Sequence, residues 1–441
     1  MKKIVLSLFL FALTANMVAE DHVMAATKRA PERDVPATLN LSLTEAQDYA
    51  VETNRSLRNA DLAVQKAYAS RWQTIASMLP SVDMSWAFQS MMGYKMNFGT
   101  MPIDMPDNGT LGITAAVGIN GQAIVGALLN NVAIDMQKLN LEQSEDNLRA
   151  NIKTSYASVL VLQNVVTLLE NSLANIEQMA TMTQRSVDVG AAEQTTADLI
   201  NVRANTLRNN INANLRSTQL ALNALKVLLD VPAETELQLT TTLEDVLSAE
   251  TVLQLLGNEF ILENNLNYQL LEKNVELAEK NVHMAGWAYG PTIGMGYQYS
   301  KKDYFGQKEG FNMTPPNALS VQVSMPLWSS GKRAAGVVEK KIALEEARNT
   351  FAETTNNLGI QNDQLRYNLQ NAYETFTNEQ ENMGVTQRVF DNTTRKFQQG
   401  AASNLDLVNA SNDLITAQSS YVQAVLTLVN AQVELEKFLN L

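Results

Sequence analysis

Pro80-Ser81-Val82-Asp83-Met84-Ser85-Trp86-Ala87-Phe88 alternates apolar with small or polar side chains without a break. In a strand, Val82, Met84, Trp86 and Phe88 share one face, and Ser81, Asp83, Ser85 and Ala87 share the other. The stretch returns downstream as Pro291-Thr292-Ile293-Gly294-Met295-Gly296-Tyr297-Gln298-Tyr299. Adding 211 carries Pro80 to Pro291 and the four apolar residues to Ile293, Met295, Tyr297 and Tyr299. A duplicated, aromatic-rich strand in a chain otherwise built of long helices needs an apolar medium on one side. Lipid is the medium expected.

Each of these strands is followed by another. Leu111, Ile113, Ala115, Val117 and Ile119 alternate with Gly112, Thr114, Ala116 and Gly118, and Leu319, Val321, Val323 and Met325 match four of them at an offset of 206. The predicted strands therefore cover 81–90, 110–119, 292–300 and 318–327. Their lengths suit a tilted membrane strand. The loops inside each pair hold Gly93, Gly99, Pro102, Pro106 and Asn108-Gly109, then Gly306, Gly310, Pro315 and Pro316. Trp86, Tyr94, Phe98, Tyr297, Tyr299, Tyr304 and Phe305 fall near strand ends or in loops, as an interfacial girdle requires. Four strands cannot close a barrel, and an open edge is not tolerated in hydrocarbon, so several chains must pool their strands. A soluble sandwich core would use the same alternation, but no further strands are predicted to form its second sheet.

The rest reads as helix. A first helix is expected from Thr44, as N-cap before Glu45, to Leu79, where Pro80 stops it. From Gln122 to Val189 no proline occurs, a run of about 68 residues, or roughly 100 Å of helix. Gly190-Ala191-Ala192 breaks it, and a further helix runs from Thr196 to Leu229 before Val231-Pro232. The same order follows: a helix over 255–290 whose Asn265-Leu266-Asn267 matches Asn54-Arg55-Ser56, the strands, a helix over 331–399, Gly400-Ala401-Ala402, and a closing helix over 404–440. In each half the two shorter helices together match the long one in length, as two stacked end to end beside it would. The expected organisation is a signal peptide at 1–25, a linker at 26–43, a first repeat at 44–232, a loosely structured connector at 233–254 and a second repeat at 255–441.

Composition narrows the function. The chain has 441 residues, 46 acids against 33 bases and a formal charge of −13, which argues against nucleic acid as a partner. It has no cysteine, and its histidines are His22 and His283. Disulfides, thiolate metal sites and thiol nucleophiles are thereby excluded. No phosphate loop and no Ser-His-Asp set is found, so no enzyme, metal or cofactor is expected. Lys2-Lys3 and the apolar run Ile4–Leu13, with small residues near Ala19 and Ala25, read as a secretory signal too short to span a bilayer. No other stretch reads as apolar enough to span as a helix, so entry into a membrane is expected by strands.

Three motifs carry a resemblance. Ser42-Leu43-Thr44-Glu45-Ala46-Gln47-Asp48 opens the chain and leads to Leu79-Pro80-Ser81. Met325-Pro326-Leu327-Trp328 turns the last strand into the long helix, and the tips are Val189-Gly190-Ala191-Ala192 and Gln399-Gly400-Ala401-Ala402, the second followed by Asn404-Leu405-Asp406-Leu407. In order and duplication they resemble the TolC-type outer-membrane efflux and secretion channels over residues 39–440. The resemblance implies a mainly helical chain with membrane β-strands, a homotrimer with one twelve-stranded barrel, and a periplasmic helical tunnel. It implies a passive exit duct in the outer membrane of a Gram-negative bacterium. The implied partners are outer-membrane lipid, a periplasmic adaptor and an inner-membrane transporter of a tripartite efflux pump or type I secretion system. An exported coiled-coil spacer or adhesin stalk is the alternative, though it leaves the strands without a role, and a soluble helical enzyme or binding protein lacks the catalytic residues.

The family's entrance gate is a ring of acids just past the second tip. Asp406 keeps that spacing from Gly400, the family's second acid falls on Asn409, and Asp198 is taken as the equivalent of Asp406 after the first tip. Asp406 and Asp198 also fit a plain role in the first turn of a helix, favouring its dipole. The adaptor would dock at the tips, on Val189, Gly190, Ala191, Gly400, Ala401 and Ala402, where glycine allows the reversal and alanine leaves room for another protein's helices.

Overall fold

The computed structural model describes residues 36–99, 101–104, 106–190, 192–305 and 315–441. The expected signal at 1–25, the linker as far as residue 35, the tip residue Ala191 and the loop glycines Gly306 and Gly310 lie outside the described residues. In chain order the elements are β1 (Thr38–Leu41), α1 (Leu43–Thr53), α2 (Arg55–Ala76), β2 (Ser81–Gln89), β3 (Lys95–Phe98), β4 (Met101–Asp104) and β5 (Asn108–Asn120). Next come α3 (Gly121–Asp188), α4 (Gln194–Leu229), β6 (Glu236–Leu239), α5 (Leu243–Val246), α6 (Ala249–Gly257) and α7 (Leu266–Gly286). β7 (Thr292–Tyr304), β8 (Asn317–Ser324), α8 (Lys332–Gln398) and α9 (Asn404–Leu439) complete the chain. Two compact units emerge.

One unit comprises Asp61–Lys138 and Leu270–Ala352 with the chain's largest described sheet. Its strand order is β2-β5-β7-β8, antiparallel throughout. Residues opposite one another across such strands share a face, so the register decides what each face is made of. One face reads Met84–Ile113–Tyr299–Asn317, Val82–Ala115–Tyr297–Leu319, Val117–Met295–Val321 and Ile119–Ile293–Val323 in successive rows. The other reads Asp83–Thr114–Gln298–Ala318, Ser81–Ala116–Gly296–Ser320 and Gly118–Gly294–Gln322. An apolar sheet face usually finds a cover within its own chain. Here Met84 is 77% exposed, Trp86 68% and Leu319 72%. Neither outer strand, β2 nor β8, has a second neighbour among the described residues.

Two details of this unit correct the expectations. The loop after β2 contains its own hairpin, β3 with β4, turning at Gly99 with φ +62°. Asn108-Gly109, expected in the loop, instead opens β5, where Asn108 stands opposite both Gln89 and Tyr304. Pairing on both sides outweighs the local turn preference of that dipeptide.

The other unit holds Leu139–Gln269, Glu353–Leu441 and the described part of Pro31–Ala60. Its core joins Ile152, Tyr156 and Val161 of α3, Leu225 and Leu229 of α4, Leu369 of α8 and Val425 and Leu428 of α9, closed by Leu41, Ala46, Ala50, Leu237 and Val252. The connector was expected to be loosely structured. It is ordered instead: β6 pairs in parallel with β1, from Thr38 opposite Glu236 to Leu41 opposite Leu239. The buried Tyr156 hydroxyl secures that pair, donating to the Leu41 carbonyl at 2.9 Å and accepting from Thr241 N–H at 3.0 Å. A bidentate Lys153–Glu436 contact at 2.7 Å links α3 to α9.

Helix boundaries also moved. The first cap is Ser42 rather than Thr44, with Glu45 at the third helical position completing a capping box. The helix expected to run from there to Leu79 breaks at Asn54. Asn54 Oδ1 accepts from Ser56 and Leu57 N–H at 2.8 and 3.1 Å, while its Nδ2 donates to the Leu228 carbonyl at 2.9 Å. Asn265 does the same in the second half, accepting from Asn267 and Tyr268 N–H at 3.1 and 3.3 Å and donating to the Phe438 carbonyl at 2.9 Å. One amide thus caps the start of a helix and satisfies an orphan carbonyl at the end of another. This is the junction that end-to-end stacking of the shorter helices requires. Contrary to expectation, α3 contains a window apolar enough by length and composition to cross a membrane, although 44% of that window is buried within the chain.

Candidate functional site

Near both tips the helices converge on a second core. Val166, Leu169, Ile176 and Met179 of α3, Ile200, Ala204, Leu207 and Ile211 of α4, Phe390 of α8, and Leu407, Ala410 and Leu414 of α9 pack together there. The α3–α4 and α8–α9 reversals are therefore presented from one packed base.

Each reversal turns on a glycine in the left-handed region, with φ +71° at Gly190 and +73° at Gly400. The second tip is a Schellman end: Gly400 N–H donates to the Phe397 carbonyl at 2.9 Å and Ala401 N–H to the Lys396 carbonyl at 2.8 Å. At the first tip Gly190 N–H donates to the Val187 carbonyl at 2.9 Å and Ala192 N–H to the Ser186 carbonyl at 3.2 Å. A Cβ added at either glycine meets nothing within 4 Å, so glycine is required there by backbone conformation and not by crowding. Val189 is 78% exposed, Ala401 is exposed and Ala402 half-buried, all free to meet another molecule.

The two helix starts beyond the tips differ. α9 begins at a capping box: Asp406 N–H donates to Ser403 Oγ at 3.1 Å, while Asp406 Oδ2 accepts from Ser403 N–H at 2.9 Å and from Ser403 Oγ at 2.7 Å. These bonds from Ser403 hold the Asp406 carboxyl below its ordinary value. α4 begins at Glu193 with no side-chain cap. Asp198 is exposed and accepts from Gln194 Nε2 at 2.9 Å. It lies two residues deeper in its helix than Asp406 does; the position matching Asp406 is Thr196.

Leu407, Ala410 and Leu414 face the core, so Asp406 and Asn409 point away from it, and both are exposed. Asp413 lies on the same outer side, one heptad beyond Asp406, and is also exposed. The sequence reading overlooked it. Its signal was the spacing of seven from Asp406, about 10 Å along a helix.

Elsewhere in this unit two open clefts of about 470 and 520 Å³ share Asp146 and Lys437. Burial, aided by Glu142 and Glu145, pushes the Asp146 carboxyl up. No group of three or more His, Asp or Glu among the described residues could hold a metal ion.

Comparison with known proteins joins these features. Residues 259–441 match the family model of the outer membrane efflux protein. The outer membrane efflux protein BepC of Brucella suis is 25% identical over 347 residues, covering 75% of this chain and 72% of BepC. Crystal structures of CusC superpose with a TM-score of 0.72 at 15% identity, over 93% of this chain and 95% of that one. The outer membrane protein VceC of Vibrio cholerae gives 0.71 at 15% identity, over 90% and 95%. Those two establish the shared fold. The second half of the chain thus matches the outer membrane efflux protein family, the chain is similar to a curated member of that kind over three quarters of its length, and it shares the fold of CusC and VceC.

Proposed function

We propose that three copies of this chain form the outer-membrane exit duct of a tripartite efflux pump or type I secretion system, conducting substrates passively. The observation that carries the reading is the apolar face of β2-β5-β7-β8 over the rows from Met84–Ile113 to Ile119–Ile293, which gives way to Lys301 and Asp303 beyond Tyr299, and which among the described residues is exposed and flanked by two unpaired edges. Lipid covers such a face, and only closure removes such edges from hydrocarbon. Three copies supply twelve strands, whose small and polar second face would line a wet lumen. An envelope spacer or adhesin stalk has no use for this sheet.

Asp406 and, one heptad further, Asp413 would repeat around the threefold axis at the periplasmic entrance, with Asn409 between them leaving that level uncharged. Converging carboxylates exclude anions and admit cations. Asp198 is the weaker candidate, given its depth in α4. The tips, Val189 to Ala192 and Gly400 to Ala402, would receive a periplasmic adaptor that connects to the inner-membrane transporter.

Cell fractionation and semi-native gels test the duct. The expected result is outer-membrane recovery as a heat-sensitive trimer; a periplasmic monomer overturns it. For the tips, Gly400→Leu should abolish export while trimers still assemble. Gly400→Ala carries the same left-handed strain, about 1–2 kcal/mol, without the bulk, and should retain export. If both lose it equally, docking at this tip is wrong.

A further inference from the structure

The connection between β2 and β5, residues 90–107, carries five of the chain's 18 methionines: Met91, Met92, Met96, Met101 and Met105. The corresponding connection in the second half, residues 305–316, carries one, Met313. Met105 and Met313 lie outside the described residues. The other four fall on a braced turn and on the hairpin that follows it.

The turn is built around Met92. Tyr94 N–H donates to the Met91 carbonyl at 2.9 Å, and both central residues have positive φ, +47° at Met92 and +76° at Gly93. Asparagine or glycine is the ordinary choice at the first of these positions, and an unbranched L side chain is strained there. Asp107 Oδ1 braces the turn by accepting from Ser90 Oγ at 2.7 Å and from Met91 N–H at 3.0 Å, while Met92 N–H donates to Ser90 Oγ at 3.3 Å. Met92 is thereby held 94% exposed, more than any other large apolar side chain among the described residues.

The hairpin adds a pair. Its register sets Met96 opposite Ile103 and Phe98 opposite Met101, so these four positions share one face. Lys95 opposite Asp104 and Asn97 opposite Pro102 make up the other face. Met96 and Met101 are diagonal neighbours, a relation that spans about 7–8 Å and lies within reach of long side chains. Cysteine is absent from the chain and histidine from this connection, so thioether sulfur is the soft donor offered here. Thioethers select soft monovalent ions and hold the hard or borderline divalent ones poorly.

We infer that the β3–β4 hairpin binds a soft monovalent cation, Cu(I) or Ag(I), with Met96 and Met101 as its ligands and Met92 as a third. The inference is independent of the duct reading, since it concerns the hairpin and not the face of the four-stranded sheet. Lipid or a second copy of the chain would need only the apolar bulk of these residues, which leucine supplies equally well. Sulfur at two diagonal positions and at a strained, exposed turn is what chooses the metal.

The test uses the full chain purified in detergent, with Cu(I) kept reduced by ascorbate and offered in competition with bicinchoninate. The native protein should withdraw Cu(I) from the chelator, and X-ray absorption at the copper edge should show sulfur neighbours. Met96→Leu and Met101→Leu keep the volume and the apolar face, and each should weaken binding about tenfold or more. Met84→Leu, which removes an exposed methionine outside the hairpin, should leave binding unchanged. A thioether has no proton to lose, so affinity should hold from neutral to mildly acidic pH, whereas a site built on Asp104 or Asp107 would weaken. Failure to compete with the chelator overturns the inference, as does copper with only nitrogen or oxygen neighbours. Leucine variants that bind as the native protein does overturn it too, leaving the methionines as apolar contacts only. Should a leucine variant misfold, the sulfur signature of the native protein decides the matter by itself.

Discussion

Asp406 caps the helix it begins, and in the proposed duct the same carboxylate would also serve the pore. Its Oδ2 is committed to Ser403, which fixes the side chain at the start of α9 and keeps it ionised. The sign follows from the depressed value. Ionised Asp406 favours the folded state at any pH above the ordinary carboxyl value of 3.8, and that contribution is lost as pH falls through the still lower folded value. A gate built on it stays charged throughout the neutral range. Asp406→Asn keeps an acceptor for Ser403 and removes only the charge. Single-channel recordings should show reduced cation preference and a leakier closed state with trimer assembly intact; unchanged selectivity removes Asp406 from the gate. The reversals at Gly190 and Gly400 and the first-turn place of Asp406 were legible from the sequence because each depends on local chemistry. The Ser42 cap was misplaced by two residues, since Ser42 and Thr44 both precede Glu45 and only the third-position spacing from Ser42 closes the box.

Among elements, the strands were the most legible, because alternation with period two survives into the structure and the register aligns it across all four. The faces make opposite predictions. Val321→Lys puts a charge on the apolar side and should cost about 2–4 kcal/mol near mid-membrane, seen as a loss of heat-resistant trimer. Gln322→Lys, one residue on and facing the other way, should assemble normally. Equal damage from both would mean that the faces are not lipid and lumen. What pattern could not show is pairing between remote segments. β1 and β6 are four residues each, and Leu41 meets Leu239 across the whole first half of the chain. The asparagine junctions were visible as the duplicated Asn54 and Asn265 but not interpretable, because the carbonyls they satisfy lie on helices ending more than a hundred residues away. Asn265 is 4% exposed. Asn265→Ala strands a buried carbonyl and removes a cap, and should destabilise the protein by about 1–3 kcal/mol in denaturant titration, with Asn54→Ala weaker because that site is wetter.

At the scale of the molecule, the order helix, strands, long helix, tip and helix occurs twice, and each compact unit draws on both halves. The four-stranded sheet uses two strands from each half, so neither half alone can build it. Even with strands from both halves, the described residues leave the edges of β2 and β8 open and an apolar face bare. Self-association in a bilayer answers both deficits at once. The direct measurement is to determine the mass of the detergent-purified protein and then record its conductance in a planar bilayer. The account predicts a complex of three chains that inserts and gives discrete, cation-preferring conductance steps; a monomer that stays soluble without detergent and leaves the bilayer silent would contradict it.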